Sequence, residues 1–217
     1  MPSIPWILHG LDTARGNLAF MVWNSFLALI PLALSFWLFQ RRGSHVRRWP
    51  WWIGLAIFVA FLPNAPYVLT DIIHLVNDIR SGQSVWAVAL ILVPQYVLFI
   101  GLGMVAYTVS IVNLDRYLSR AGKVSWVGPT ELTLHGLTAI GIYLGRFLRF
   151  NSWDLVTMPG VVIGDTLSLL VSKRPLAIMV GTFLIVAGLH WLLKQMTLAM
   201  ILYWRTRHMR SAQKYLG

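Results

Sequence analysis

The sequence predicts an all-α fold: a polytopic transmembrane helical bundle of about five spans plus one amphipathic interfacial helix. Three observations carry this. Of 217 residues, 57% are apolar and 12% charged, about half the charged share of a soluble domain. Apolar runs recur at the length of about 20 residues that crosses a hydrocarbon core as helix. The basic residues cluster in alternate loops between those runs. The whole chain, 1–217, reads as a single integral membrane domain.

The spans fall at about 17–40, 51–75, 85–112, 127–150 and 175–204. The N-terminal segment lacks the basic stretch, short apolar core and small-residue site of a cleavable leader. The first two spans are joined by a loop with Arg41, Arg42, Arg47 and Arg48. The third and fourth flank Arg116, Arg120 and Lys123, and Arg205, Arg207, Arg210 and Lys214 follow the last. These hold most of the 18 Lys and Arg. The positive-inside rule then places the N-terminus outside and the C-terminus in the cytoplasm, in a cell membrane.

Loop placement of the charge also argues against nucleic acid as a partner, because no basic soluble face or recognition motif exists. The lipid bilayer is the expected environment. Absence of cysteine excludes disulfides and thiolate chemistry. Trp49, Trp51, Trp52, Trp86, Trp126 and Trp204 sit near the span ends, where indole rings favour the headgroup layer.

The second span contains the first departure from an apolar pattern. Asn64, Tyr67, Asp71, His74 and Asp78 recur at helical spacing within an arc of about 80°. Pro63 and Pro66 open this stripe. Proline removes an amide donor and crowds the preceding turn, so the span is expected to kink or break there. Asn64 is the side chain placed to satisfy the freed backbone. Asp71 and His74, one turn apart, could share a proton or supply two metal ligands, fewer than a zinc site needs. The bland alternative is that the stripe ties the kink to its neighbours by hydrogen bonds.

In the third span, Gly101 and Gly103 read as close-packing positions. The fourth span carries a second stripe: Glu131, His135, Thr138, Arg146 and Arg149, with Tyr143 at its flank. Arg146 and Arg149 fall at the depth of Asp71, His74 and Asp78. Opposed carboxylates and guanidiniums would neutralise one another. Alternatively, the arginine forks match the oxygens of a phosphate or lipid headgroup.

The interfacial helix spans about 154–172, interrupted early by Pro159 and Gly160. Its polar face is Asp154, Thr157, Asp165, Ser168 and Ser172, and Asp154 or Ser152 is the expected N-cap. In the last span His190 lies mid-membrane with Lys194 one turn on. His135 and His190 could in principle be opposed haem ligands. Glu131 and His135 are half a metal site, too few to assign a metal or any cofactor. Nucleotide-binding loops, a nucleophile elbow and zinc-protease motifs are absent from the sequence.

The strings LPNAPYVLTDIIHL and GIYLGRFLRFNSWD, with the spacing of the apolar spans, resemble DUF1361, a family of uncharacterised bacterial membrane proteins. The likeness runs from the second span to the last. It implies a small polytopic membrane protein with these strings as its signature, and it assigns no chemistry.

The residues thus point first to a binding or accessory protein. Its outward-facing pocket would comprise Asn64, Tyr67, Asp71, His74, Arg146 and Arg149, with Glu131, His135 and Asp154 as a secondary polar set. The ligand would be a lipid headgroup, a small anion or a partner subunit. A second reading is an intramembrane hydrolase or transferase acting on lipid, with or without a metal, with Asp71 or His74 as base and the arginines as anion clamp. A third is a haem-binding redox or transport component.

Overall fold

The computed structural model describes the backbone of residues 5–40 and 49–214, and side chains within them through Met200 together with Tyr203. The loop arginines Arg41, Arg42, Arg47 and Arg48 therefore lie outside the described residues, as do the side chains of Arg205, Arg207, Arg210 and Lys214.

Among the described residues ten α-helices follow in order: α1 Pro5–Phe39, α2 Trp49–Phe61, α3 Asn64–Tyr67, α4 Ile72–Arg80, α5 Val85–Ala87, α6 Val93–Arg120, α7 Val127–Phe147, α8 Asp154–Thr157, α9 Pro159–Val171 and α10 Lys173–Lys214. A 3-10 turn, Val68–Asp71, joins α3 to α4, and a π-helical turn, Val88–Leu92, joins α5 to α6. Among the described residues four stretches are long and apolar enough to cross a membrane: Pro5–Phe39, Trp49–Arg80, Val85–Arg120 and Lys173–Met200. Helix α7, at 21 residues, matches a span in length but not in hydropathy, because polar side chains recur along it. Large apolar side chains face outward along the long helices, among them Val22, Leu98, Leu184 and Trp191. Ser35, Asp71, Asn113, His135, Thr138 and His190 are buried. Apolar side chains turned outward, with polar groups held inside, suit lipid as solvent.

Four helices begin or end away from their expected bounds: α4 runs to Arg80 rather than 75 and α6 to Arg120 rather than 112, and α1 and α10 are longer still. Helix α1 starts at Pro5 rather than near residue 17. Its polar first turns are held by Gln83 donating to Thr13 Oγ1 (2.8 Å) and Gln95 donating to the Ala14 carbonyl (2.9 Å). Thirty-five residues make about 52 Å of helix, well beyond a hydrocarbon core of about 30 Å. Helix α10 likewise continues past residue 204, so the basic tail extends the helix instead of leaving it. The interfacial segment is two helices, α8 and α9, parted at Met158. With 13 residues, α9 is too short to cross.

The second span breaks where its prolines predict. The Leu62 amide keeps its bond to Phe58 (2.9 Å), the Ala65 amide tightens onto Leu62 (3.2 Å), and Asn64 Nδ2 donates to the Phe61 carbonyl at 3.0 Å. Asn64 thus satisfies backbone left over by the break. Three glycines make room for the broken segment. A Cβ at Gly103 would strike the Ala65 carbonyl and Val68, at Gly141 it would meet Pro63 at 2.7 Å, and at Gly145 it would press on Tyr67 at 3.1 Å. Gly141 and Gly145 form a small-x-x-x-small pair on α7, which lets Pro63 and Tyr67 seat against its backbone. Gly103 is the close-packing position expected in the third span, whereas a Cβ at Gly101 would meet nothing within 4 Å.

At the basic end, where α1 finishes and α2 starts, polar ties lock the helices. Asn113 Nδ2 donates to Ser35 Oγ (2.9 Å), Gln40 Nε2 to Asn113 Oδ1 (3.2 Å), and Trp51 Nε1 to the Leu38 carbonyl (3.2 Å). Arg120 donates to the Phe39 carbonyl. At the opposite end, Asn17 Nδ2 donates to Asp78 Oδ2 at 2.8 Å.

Candidate functional site

The 3-10 turn after the break carries Asp71 inward, where it is 2% exposed. Its Oδ2 accepts from Asn24 Nδ2 of α1 at 2.7 Å. Its Oδ1 lies 3.6 Å from Arg146 Nη1 of α7 and 4.0 Å from His74 Nε2. A buried carboxylate needs this kind of paired and hydrogen-bonded surrounding. The expected opposition of the two stripes is therefore met at Asp71 and Arg146. His74 is half exposed and tilts over Phe20 at 4.7 Å between ring centroids.

Beside this cluster lies a cavity of about 580 Å³, walled by α1, α2, α3, α7, the loop after α7, and α9. Its walls are apolar: Leu27, Val59, Leu137, Ile140, Leu144 and Leu167 among them. Polar groups border it through Asn24, Asn64, Tyr67, Arg149 and Ser152. Of the six residues expected in one pocket, Asn64, Tyr67 and Arg149 line the cavity. Asp71, His74 and Arg146 form the ion cluster adjoining it, and Asn24 belongs to both.

Arg149 is placed by an unusual backbone. Helix α7 ends with the amides of Leu148 and Phe150 both turning to the Leu144 carbonyl, at 3.1 and 3.2 Å. Between them Arg149 adopts φ 60°, and no other non-glycine among the described residues has positive φ. The corresponding reversal after α6 is made by Gly122 at φ 73°, the residue type that bears this conformation without cost. A side chain there costs about 1 kcal/mol, so arginine is a strained choice for a helix end. Strain of that kind clusters at functional positions. No described residue pairs with Arg149 in a salt bridge.

The loop after α7 differs from its expected capping. Ser152 Oγ accepts from Asn64 Nδ2 at 2.8 Å, fastening the loop to the helix break across 88 residues of sequence. Asp154 is buried, and its Oδ2 accepts the Asn151 amide at 2.6 Å. It holds the turn instead of capping α8, whose N-cap position is Trp153 with no side-chain bond.

The α7 stripe does not act as one unit. Arg146 meets Asp71, but Arg149 does not meet Asp78, which takes Asn17 and, at 3.4 Å, the Tyr96 hydroxyl. About 20 Å further along α7, Glu131, His135 and Thr138 face α6 and α10. Lys194 Nζ donates to Asp115 Oδ2 at 2.7 Å and also to Glu131 Oε1. His190 Nε2 lies 3.6 Å from Glu131 Oε1. The Tyr107 hydroxyl bonds His135 Nδ1 (2.7 Å) and donates to Thr138 Oγ1 (3.3 Å). The imidazoles of His135 and His190 touch, with centroids 4.9 Å apart. Two rings in contact leave no slot for a porphyrin, so the pair does not fit opposed haem ligation. Among the described residues no three His, Asp or Glu side chains gather as a metal site.

The profile of DUF1361, described as a protein of unknown function, matches residues 23–187. The chain belongs to the DUF1361 family. No curated protein and no solved structure matches the chain. The DUF1361 match contains the helix break, the ion cluster, every residue of the cavity wall and Glu131, while His190 and Lys194 lie beyond it.

Proposed function

We propose that this multi-pass membrane protein binds the anionic headgroup of a lipid. Arg149 would hold the phosphate, and the apolar cavity would take the adjoining acyl chain. The observation that carries this is the strained Arg149 at the border of a largely apolar cavity. A guanidinium supplies paired donors to phosphate oxygens, and Asn64, Tyr67 and Ser152 offer further polar contacts around it. Arg146 has a different part: neutralised by Asp71, it stiffens the wall behind. In this reading the chain is one membrane domain of five spans, N-terminus outside, with the cavity near the outer leaflet and the basic loops in the cytoplasm.

The lipid-hydrolase alternative has weaker support. Asp71 already accepts from Asn24 and adjoins Arg146, and it does not line the cavity. A small free anion would leave the apolar walls without a role.

The test compares wild type, Arg149→Lys and Arg149→Gly in nanodiscs of phosphatidylcholine containing a minor fraction of phosphatidylglycerol. Native mass spectrometry then counts retained lipid. Arg149→Gly is expected to retain about tenfold less phosphatidylglycerol, the loss of one charge-assisted hydrogen bond, while Arg149→Lys keeps most of it. Equal retention by all three overturns the proposal. Glycine also relieves the φ 60° strain, so the variant should melt no lower than wild type.

A further inference from the structure

The second polar cluster has a charge imbalance that the lipid site does not use. Asp115 of α6, Glu131 of α7 and Lys194 of α10 put two carboxylates against one ammonium, all within ion-pair reach. Asp115 is 7% exposed and its Oδ1 has no partner. One turn above Lys194, His190 is 2% exposed and neither ring nitrogen has a hydrogen-bond partner. A buried imidazole with both nitrogens unbonded is an expensive arrangement. So is a buried excess of negative charge. One proton on His190 Nε2 balances the charge: the cluster becomes neutral, and that nitrogen can donate toward Glu131 Oε1, 3.6 Å away.

A route for that proton exists. A second cavity, about 950 Å³, opens at the basic end and is lined by Gln40, Asn113, Asp115, Arg120 and Lys194 among others. Asp115 and Lys194 form its inner wall and touch Glu131, which touches His190. The groups against His190 are Tyr107 from α6 and Glu131 and His135 from α7; Asp115 of α6 and Lys194 of its own helix reach it only through Glu131. Of these, Tyr107 and His135 already satisfy each other. This leaves the carboxylate side as the approach to His190.

We propose that His190 is a proton-uptake site, fed from the basic-end cavity through Asp115, Lys194 and Glu131. A hydronium ion in the cavity, supplied by the fall in pH, gives a proton to Asp115 and is left as water. Lys194 passes one of its N–H protons to Glu131 and regains one from Asp115. The Glu131 O–H then breaks as an N–H forms at His190 Nε2. No other bond changes, and the net movement is one positive charge from the cavity to mid-bundle. Proton relays built from carboxylates and histidine are one established use of ionisable groups at membrane depth.

The experiment is a charge-displacement recording on full-length protein in proteoliposomes adsorbed to a solid-supported membrane. A downward pH step applied to vesicles with the basic end exposed should give a transient current. Glu131→Gln, His190→Asn and His190→Gln should lower it to the level of protein-free vesicles, whereas Thr182→Val on the same helix should not. Cluster variants that elute as wild type and keep the current overturn the proposal. A wild-type signal no larger than that of protein-free vesicles does the same. Should every cluster variant aggregate, solid-state magnetic resonance of isotope-labelled histidine in the wild-type protein decides the matter. One buried ring must convert from imidazole to imidazolium across the step, and no conversion overturns the assignment. A purely structural network would hold the helices together without moving charge.

Discussion

The two ends of the bundle solve the same difficulty, charge in a low-dielectric interior, in opposite ways. Around Asp71 every charge on the carboxylate is met by a donor from a different helix, and the surplus cation, Arg149, is displaced to a cavity border. Around Glu131 the surplus is negative and largely buried, next to an imidazole whose nitrogens make no hydrogen bond. A neutralised cluster with a cation at its edge is suited to holding an anion. A cluster short of one positive charge, with a cavity at its side, is suited to accepting a proton. The contrast also separates the halves of α7: one polar stripe in sequence serves two sites about 20 Å apart.

Removing the shared cation should break this comparison most severely. Lys194→Met leaves two carboxylates buried together and should cost about 3–5 kcal/mol, seen as aggregation on extraction or a large fall in melting temperature. Adding Asp115→Asn and Glu131→Gln to it should restore most of the loss, because a neutral trio carries no unpaired charge. If the single variant melts like wild type, the cluster is not the buried unit described. Gly141→Val comes next. Its side chain would drive into Pro63, already 2.7 Å from a Cβ, and should cost about 1–3 kcal/mol by overpacking. The loss should appear at the cavity end, as lower lipid retention, with the charge displacement at His190 intact. The smallest effect is expected for Asn64→Ala. It removes the bonds to Phe61 and Ser152 and should lower stability by about 1 kcal/mol, with faster amide exchange in the loop after α7.

Several of these features are legible in the residues. Proline acts on its own turn, so Pro63 and Pro66 announce the break, and Asn64 stands where the freed carbonyl needs a donor. Asp71 and Arg146 can be matched because each is costly alone and both lie at one depth. The partners of Glu131 are harder to read. Asp115 sits near the end of a long span and Lys194 interrupts another, and two opposite charges at similar depth are the only hint that they meet. Asn24 and Ser152 give no hint, since single polar residues in spans and loops are common.

Composition and apolar run length by themselves determined that this chain is a helical membrane protein, because the hydrocarbon solvent permits few other backbones. Helical periodicity determined which residues share a face. It does not determine which neighbour that face meets, since periodicity orients side chains about their own axis and says nothing of the rotation between helices. Tertiary packing decided that Arg149 borders a cavity while Arg146 is neutralised. It decided that Gly141 and Gly145 receive the broken helix. It also decided that Glu131 belongs with Asp115, His190 and Lys194 rather than with Asp71.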